Sequence, residues 1–173
     1  MSYYLIIRGP LGAGKTTVAH ALGEALGAEV ISIDGLLELQ EWDGGSEELF
    51  LRTNELAAGT ARAHLARGTP VVLDGNFYWA SALDDLARRL PFPHETFTLR
   101  VPLATCIARD RLRPLSYGEE ATQEVFEKVA RVDRGIPIDG EQDLGRIVRA
   151  IRAHLPPAGT TPQGGPERRR SVP

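Results

Sequence analysis

The run Gly9-Pro10-Leu11-Gly12-Ala13-Gly14-Lys15-Thr16 constrains this chain more than any other feature. It fits the pattern G-x-x-x-x-G-K-[ST], follows the apolar run Tyr4-Leu5-Ile6-Ile7 and opens a helical pattern over residues 17–26. Strand, glycine loop and helix in that order are the setting this motif requires. Glycines let the backbone fold back so that several N–H groups point at one phosphate, and the helix start adds its positive dipole end. Gly9, Leu11, Gly12, Ala13, Gly14, Lys15, Thr16 and Thr17 are therefore the expected nucleotide-contacting residues. Lys15 is expected on the β- and γ-phosphates, with the Thr16 hydroxyl on Mg²⁺.

The rest of the chain fits one α/β domain around that loop. Beta-rich runs end at Asp34 (residues 29–33), at Asp74 (70–73) and at Pro102 (96–101), and a short run covers 136–138. Helical patterns fill the intervals at 47–67, 80–90, 103–112 and 122–134. The stripe Leu144, Ile147, Val148, Ile151 and Leu155 closes the series. Strands alternating with helices predict a parallel sheet covered on both faces, and the near-continuous apolar strands agree. Pro137 cannot donate to a ladder, so the last strand belongs at an edge. The segment 156–173 holds five prolines and three glycines in 18 residues and is expected to be a disordered tail.

Composition narrows the function classes. A 173-residue chain with 42% hydrophobic and 25% charged residues has the make-up of a soluble globular domain. A net charge of −3 argues against a non-specific nucleic-acid binder, which needs a basic face. The single cysteine, Cys106, forms no intrachain disulfide and sits in a helical pattern as a buried structural thiol. No stretch is long and apolar enough to cross a membrane, and a strand at the N-terminus leaves no room for a signal peptide. The expected compartment is the cytoplasm. The four histidines show no metal-ligand spacing.

In open α/β sheets, ligands bind beyond the carboxyl ends of the strands. The glycine loop, Asp34 and Asp74 all fall there. Asp74, in Val71-Val72-Leu73-Asp74-Gly75-Asn76, is the expected second anchor for Mg²⁺, through water. Asn76 is a cap, or touches the substrate or the loop. Asp34 suits a general base that takes the proton of an acceptor hydroxyl. For both aspartates the plain alternative is a turn residue, since Asp-Gly favours turns. Arg109 and Arg113, four apart on a helix, share a face and suit a clamp on the transferring phosphoryl group. Arg111 points elsewhere, toward solvent or Asp110. The Pro114–Glu120 segment resembles a lid hinge. Trp42, Phe77, Tyr78 and Trp79 are either packing or the lining of an acceptor pocket.

Together these motifs resemble the small P-loop kinases related to shikimate kinase, gluconate kinase, chloramphenicol phosphotransferase and the polynucleotide kinases. The resemblance spans residues 3–155. It implies a three-layer P-loop NTPase fold: a five-stranded parallel sheet, order 2-3-1-4-5, with helices on both faces and a helical lid at about residues 109–134. The kinase domain would be 1–155. It also implies an ATP- and Mg²⁺-dependent transfer of the γ-phosphate to a hydroxyl of a small-molecule acceptor, with Asp34 as base and Arg109 and Arg113 as lid arginines. The chain departs from two of these relatives. Polynucleotide kinases carry a phosphate-gripping arginine three residues after the base, where this chain has Leu37. Shikimate kinases carry a glycine triplet where this chain has Asp74-Gly75-Asn76. Both departures argue against those acceptors. The competing readings are a 5′-hydroxyl kinase for nucleosides or polynucleotides, and a nucleotide-binding module without catalysis.

Overall fold

The computed structural model describes residues 2–41 and 44–155. Five parallel strands form one sheet in the order β2-β3-β1-β4-β5. They are β1 (Tyr4–Arg8), β2 (Glu29–Ser32), β3 (Val71–Gly75), β4 (His94–Arg100) and β5 (Ile136–Asp139). The helices are α1 (Lys15–Leu26), α2 (Ile33–Glu38), α3 (Glu47–Ala66), α4 (Ala80–Arg89), α5 (Leu103–Arg111), α6 (Glu119–Ala130) and α7 (Leu144–Arg152). The predicted strand order holds, and Pro137 lies in an edge strand that pairs only with β4. Trp42 and the expected tail at 156–173 lie outside the described residues.

Strand periodicity divides the core in two. Tyr4 and Ile6 of β1, with Val71 and Leu73 of β3, face a cluster built with α3 and α4 that includes Leu49, Phe50, Ala57 and Leu86. The alternate residues, Leu5, Ile7 and Val72, face a second cluster with Val18 and Leu22 of α1, Cys106 of α5 and Ile147 and Ile151 of α7. Successive side chains on a strand point to opposite faces, so an apolar strand buried on both sides serves two cores at once. Each such fully buried Leu or Ile contributes about 1.5–3 kcal/mol of burial free energy. This two-sided sheet holds the strand ends, and hence the site, in place.

Side-chain caps fix where several helices begin. The Ser46 hydroxyl accepts from the Leu49 N–H, and Asp143 accepts from the Arg146 N–H. Ser32 does the same for Gly35, which shows where the sequence reading of β2 differs from the structure. The strand stops at Ser32, and Ile33–Glu38 turns into a short helix, with Ile33 and Leu37 packed into the core. Asp34 therefore lies in the first turn of α2 rather than at a strand end. Among the described residues, no helix is long and apolar enough to cross a membrane.

Candidate active site

The glycine loop joins β1 to α1. Gly12 and Gly14 have φ of +74° and +88°, a region that L side chains rarely adopt. Gly12 also leaves no room for a side chain, because a Cβ there would lie 2.3 Å from the Cys106 carbonyl oxygen of α5. Gly14 is the N-cap of α1, and no side chain among the described residues caps that helix. Its first-turn N–H groups are thus without a side-chain acceptor, which is the arrangement an anion needs. Leu11 and Ala13 are buried beneath the loop, while Thr16 and Thr17 are exposed at the helix start.

Lys15 is only 6% exposed, and its ammonium gathers the strand ends. Nζ donates to the Pro10 carbonyl at 3.0 Å and to Asn76 Oδ1 at 2.9 Å, and lies 3.4 Å from Asp34 Oδ2. The other Asp34 oxygen accepts the Asn76 backbone N–H at 3.0 Å. Asn76 thus touches the loop and locks Asp34. Lys15 of the loop and Asp34, expected on one rim together with Asp74, meet in one network with Asn76.

The Thr16 hydroxyl donates to Asp74 Oδ2 at 2.8 Å. Asp74 is fully buried, and among the described residues its Oδ1 has no hydrogen-bond partner. Burial pushes its carboxyl above the ordinary range against the pull of the Thr16 hydroxyl; Asp34 adds to the rise and Lys15 opposes it. A buried carboxylate oxygen without a partner, beside a hydroxyl at a phosphate loop, is a hard-oxygen donor set. It suits Mg²⁺, which takes oxygen ligands and keeps much of its water. Among the described residues, no group of three or more His, Cys, Asp or Glu forms a separate metal cluster.

The two clamp arginines part company. Arg109 lies against the loop: Nη1 is 3.4 Å from the Ala13 carbonyl, and Nη2 donates to the Gly140 carbonyl at 3.2 Å. Arg113 instead stacks over the Tyr117 ring at 4.9 Å. Arg111 pairs with Glu119 at 2.7 Å, not with Asp110. Asp110 is buried and organises the α5–α6 connection by accepting from Ser116 Oγ (2.6 Å) and from the Gly118 (3.1 Å) and Tyr117 (3.4 Å) N–H groups. Burial opposes ionisation there, but those hydrogen bonds outweigh it and hold the carboxyl below its ordinary range.

That connection reaches across to α2. The Tyr117 phenol donates to Glu38, one helical turn beyond Asp34. Burial, with the Glu38 hydrogen bond and charge adding, pushes Tyr117 up to about 12, and the Asp34 charge also contributes. Asp34 and Glu38 therefore line one face of α2 opposite Tyr117. Glu38 and Tyr117 carry no sequence signal of their own, because Asp34 reads as a strand end or a turn residue and not as the first turn of a helix. The only available signal was Ser32 three residues before the Gly35 N–H that it caps. Of the aromatics after Asp74, Phe77 and Tyr78 are buried core residues, and Tyr78 and Trp79 both donate to the Gly45 carbonyl (3.3 and 3.2 Å). Cys106 is fully buried, its thiol pushed up by that burial, as a structural thiol should be.

Comparison with known proteins agrees with this geometry. The model of the AAA domain family matches residues 5–134, well over half of the chain. No curated protein matches it. Three solved structures are similar in fold. A gluconokinase from Sinorhizobium meliloti has 21% identity and a TM-score of 0.69, covering 87% of this chain and 89% of its own. A sugar kinase from a Janibacter species has 16% identity and a TM-score of 0.75, covering 88% and 94%. A shikimate kinase from Aquifex aeolicus has 19% identity and a TM-score of 0.60, covering 88% and 95%. With its glycine loop, its sheet order and this match, the chain belongs to the AAA domain family and has the fold of the small P-loop kinases.

Proposed function

We propose that this protein is an ATP- and Mg²⁺-dependent kinase that transfers the γ-phosphate to a hydroxyl of a small-molecule acceptor. The observation that carries the reading is the convergence on Lys15 of Asn76 and Asp34, beside the Thr16–Asp74 pair. The loop amides and Lys15 bind the β- and γ-phosphates of ATP. Thr16 and Asp74 are the residues that would hold Mg²⁺, which supplies charge neutralisation on the phosphate oxygens. Asp34 accepts the proton as the acceptor oxygen bonds to the γ-phosphorus, the bond to the β–γ bridging oxygen breaks, and ADP leaves. Arg109 steadies the nucleotide side, and the segment at 109–134 acts as a lid that brings Arg113 over the transferring group and excludes water.

The acceptor side favours a small molecule. Leu37, where a polynucleotide kinase would grip a substrate phosphate, is 4% exposed and packed in the core. The kinases of similar fold carry names for gluconate, sugar and shikimate substrates. Their small polyhydroxylated acceptors set the range to search. The reading places the enzyme in the cytoplasm, where ATP is present.

The test is a screen of ATP consumption against hydroxylated metabolites, aminoglycosides and other antibiotics, nucleosides and 5′-hydroxyl oligonucleotides. One class of small hydroxylated compound is expected to raise turnover well above basal hydrolysis. With that acceptor, Lys15→Ala loses ATP affinity, whereas Asp34→Asn keeps it and loses transfer. Unchanged turnover in Asp34→Asn refutes the base assignment. A preference for oligonucleotides with steep salt dependence refutes the small-molecule reading.

A further inference from the structure

Arg8 closes β1, immediately before the loop, and none of it is exposed. A buried guanidinium is costly unless its charge is matched, and this one has no carboxylate ion pair among the described residues. Its acceptors are four backbone carbonyls and one hydroxyl. Nη1 donates to Thr98 Oγ1 (3.0 Å), Val132 O (2.9 Å) and Arg134 O (3.2 Å), and Nη2 to Val129 O (3.0 Å) and Phe77 O (3.4 Å). Val129, Val132 and Arg134 mark the carboxyl end of α6 and its exit toward β5, where the negative end of the helix dipole favours a cation. Burial pulls the guanidinium down to about 10, so it keeps its charge at neutral pH.

The fifth acceptor links the same cation to the site. Phe77 follows Asn76 directly and has a φ of +45°, which is uncommon for a bulky residue and persists only where neighbours hold it. Arg8 thus joins three parts: the root of the glycine loop, the backbone behind Asn76, and the carboxyl end of the helix whose other end carries the α5–α6 connection.

We propose that Arg8 is the pivot of the lid, a positioning residue that fixes the carboxyl end of α6 to the glycine loop and the Asn76–Phe77 backbone. Through it, nucleotide bound at the loop sets the position of the segment around Tyr117. The proposal rests on the kinase reading with a nucleotide-responsive lid.

The test needs no acceptor. Arg111 is exposed, and the bond to Leu112 is open to trypsin, whereas the Arg113–Pro114 bond resists it. The wild-type protein is expected to lose at least about tenfold in cleavage rate at Arg111 when saturated with Mg·AMP-PNP. Arg8→Lys keeps the charge, but one nitrogen cannot span α6 and Phe77. It is expected to bind Mg·AMP-PNP within about threefold of wild type by calorimetry, while nucleotide slows cleavage less than about twofold. A lower melting temperature with wild-type protection would show a purely structural residue and overturn the proposal. So would a parallel loss of affinity, which would mean a deformed loop. If Arg8→Lys does not fold, Thr98→Ala removes one acceptor. It is expected to weaken protection at unchanged affinity, and Thr98→Ser to restore it; full protection in Thr98→Ala overturns the pivot. A wild-type lid that nucleotide does not protect overturns the lid and the pivot together, while acceptor-dependent ATP consumption still tests the kinase reading separately.

Discussion

Replacing Gly12 by alanine tests how tightly the loop is packed on α5. The new Cβ would lie 2.3 Å from the Cys106 carbonyl oxygen and 3.0 Å from both its carbonyl carbon and its Cα, all backbone atoms of a packed helix. Forcing a side chain into a full core costs about 1–3 kcal/mol. The φ of +74° adds the left-handed penalty, about 1–2 kcal/mol. The sum is about 2–5 kcal/mol. Gly14→Ala is the internal control. It shares the loop and a φ of +88°, but its Cβ would meet only Arg109 Nη1, at 4.0 Å. Only the strain of about 1–2 kcal/mol remains there. The steric part, about 1–3 kcal/mol, should appear as an extra fall in melting temperature of roughly 2–12 °C for a domain of this size. The assay is thermal unfolding of both variants by circular dichroism without nucleotide. Melting temperatures equal to within about 1 °C would refute the contact between loop and helix.

Two further outcomes follow from the site's electrostatics. Because Asp74 is raised above its unfolded value, the folded protein holds that proton more tightly than the unfolded chain. Ionisation therefore costs stability above the raised value, and the cost disappears below the ordinary carboxylate range near ~4. Asp74→Asn should melt higher than wild type at pH 7 without ligand, lose that advantage as pH falls to about 4, and lose the Mg²⁺-dependent part of nucleotide affinity. A lower melting temperature at pH 7 contradicts this. Glu38→Gln should bring the Tyr117 phenol down from about 12 toward the ordinary ~10, seen as a shift in the alkaline tyrosine absorbance titration; an unchanged titration contradicts the contact with α2.

Sequence patterns were most informative where one interaction type dominates. The glycine loop was legible because its backbone conformation admits few residues, and the strands because burial on both faces leaves them uniformly apolar. Asp74 and Asn76 followed from their place after an apolar strand. Asp34 lies beside Lys15, but in a different setting from the strand end that the sequence suggests: Asp34-Gly35 signals a turn, while the Ser32 cap and the burial of Ile33 and Leu37 make a helix. The Arg109–Arg113 pair shows the limit of spacing. Both share a helical register, but α5 ends at Arg111, so Arg113 leaves the helix and finds Tyr117 instead. Arg8 has no sequence signal because four of its five partners are backbone carbonyls, which carry no residue signature.

The network on Lys15 also bears on how the molecule is made. The loop is synthesised well before its partners: the Asn76 oxygen that holds Lys15 lies 61 residues further along the chain, and Asp74 lies 58 residues beyond Thr16. β1 pairs on one side with β3 and on the other with β4. An emerging chain therefore carries the motif long before it can grip a phosphate. Long-range parallel pairing of this kind closes slowly. Nucleotide binding should thus appear late and all at once during synthesis, making it a report on completed folding rather than a guide to it.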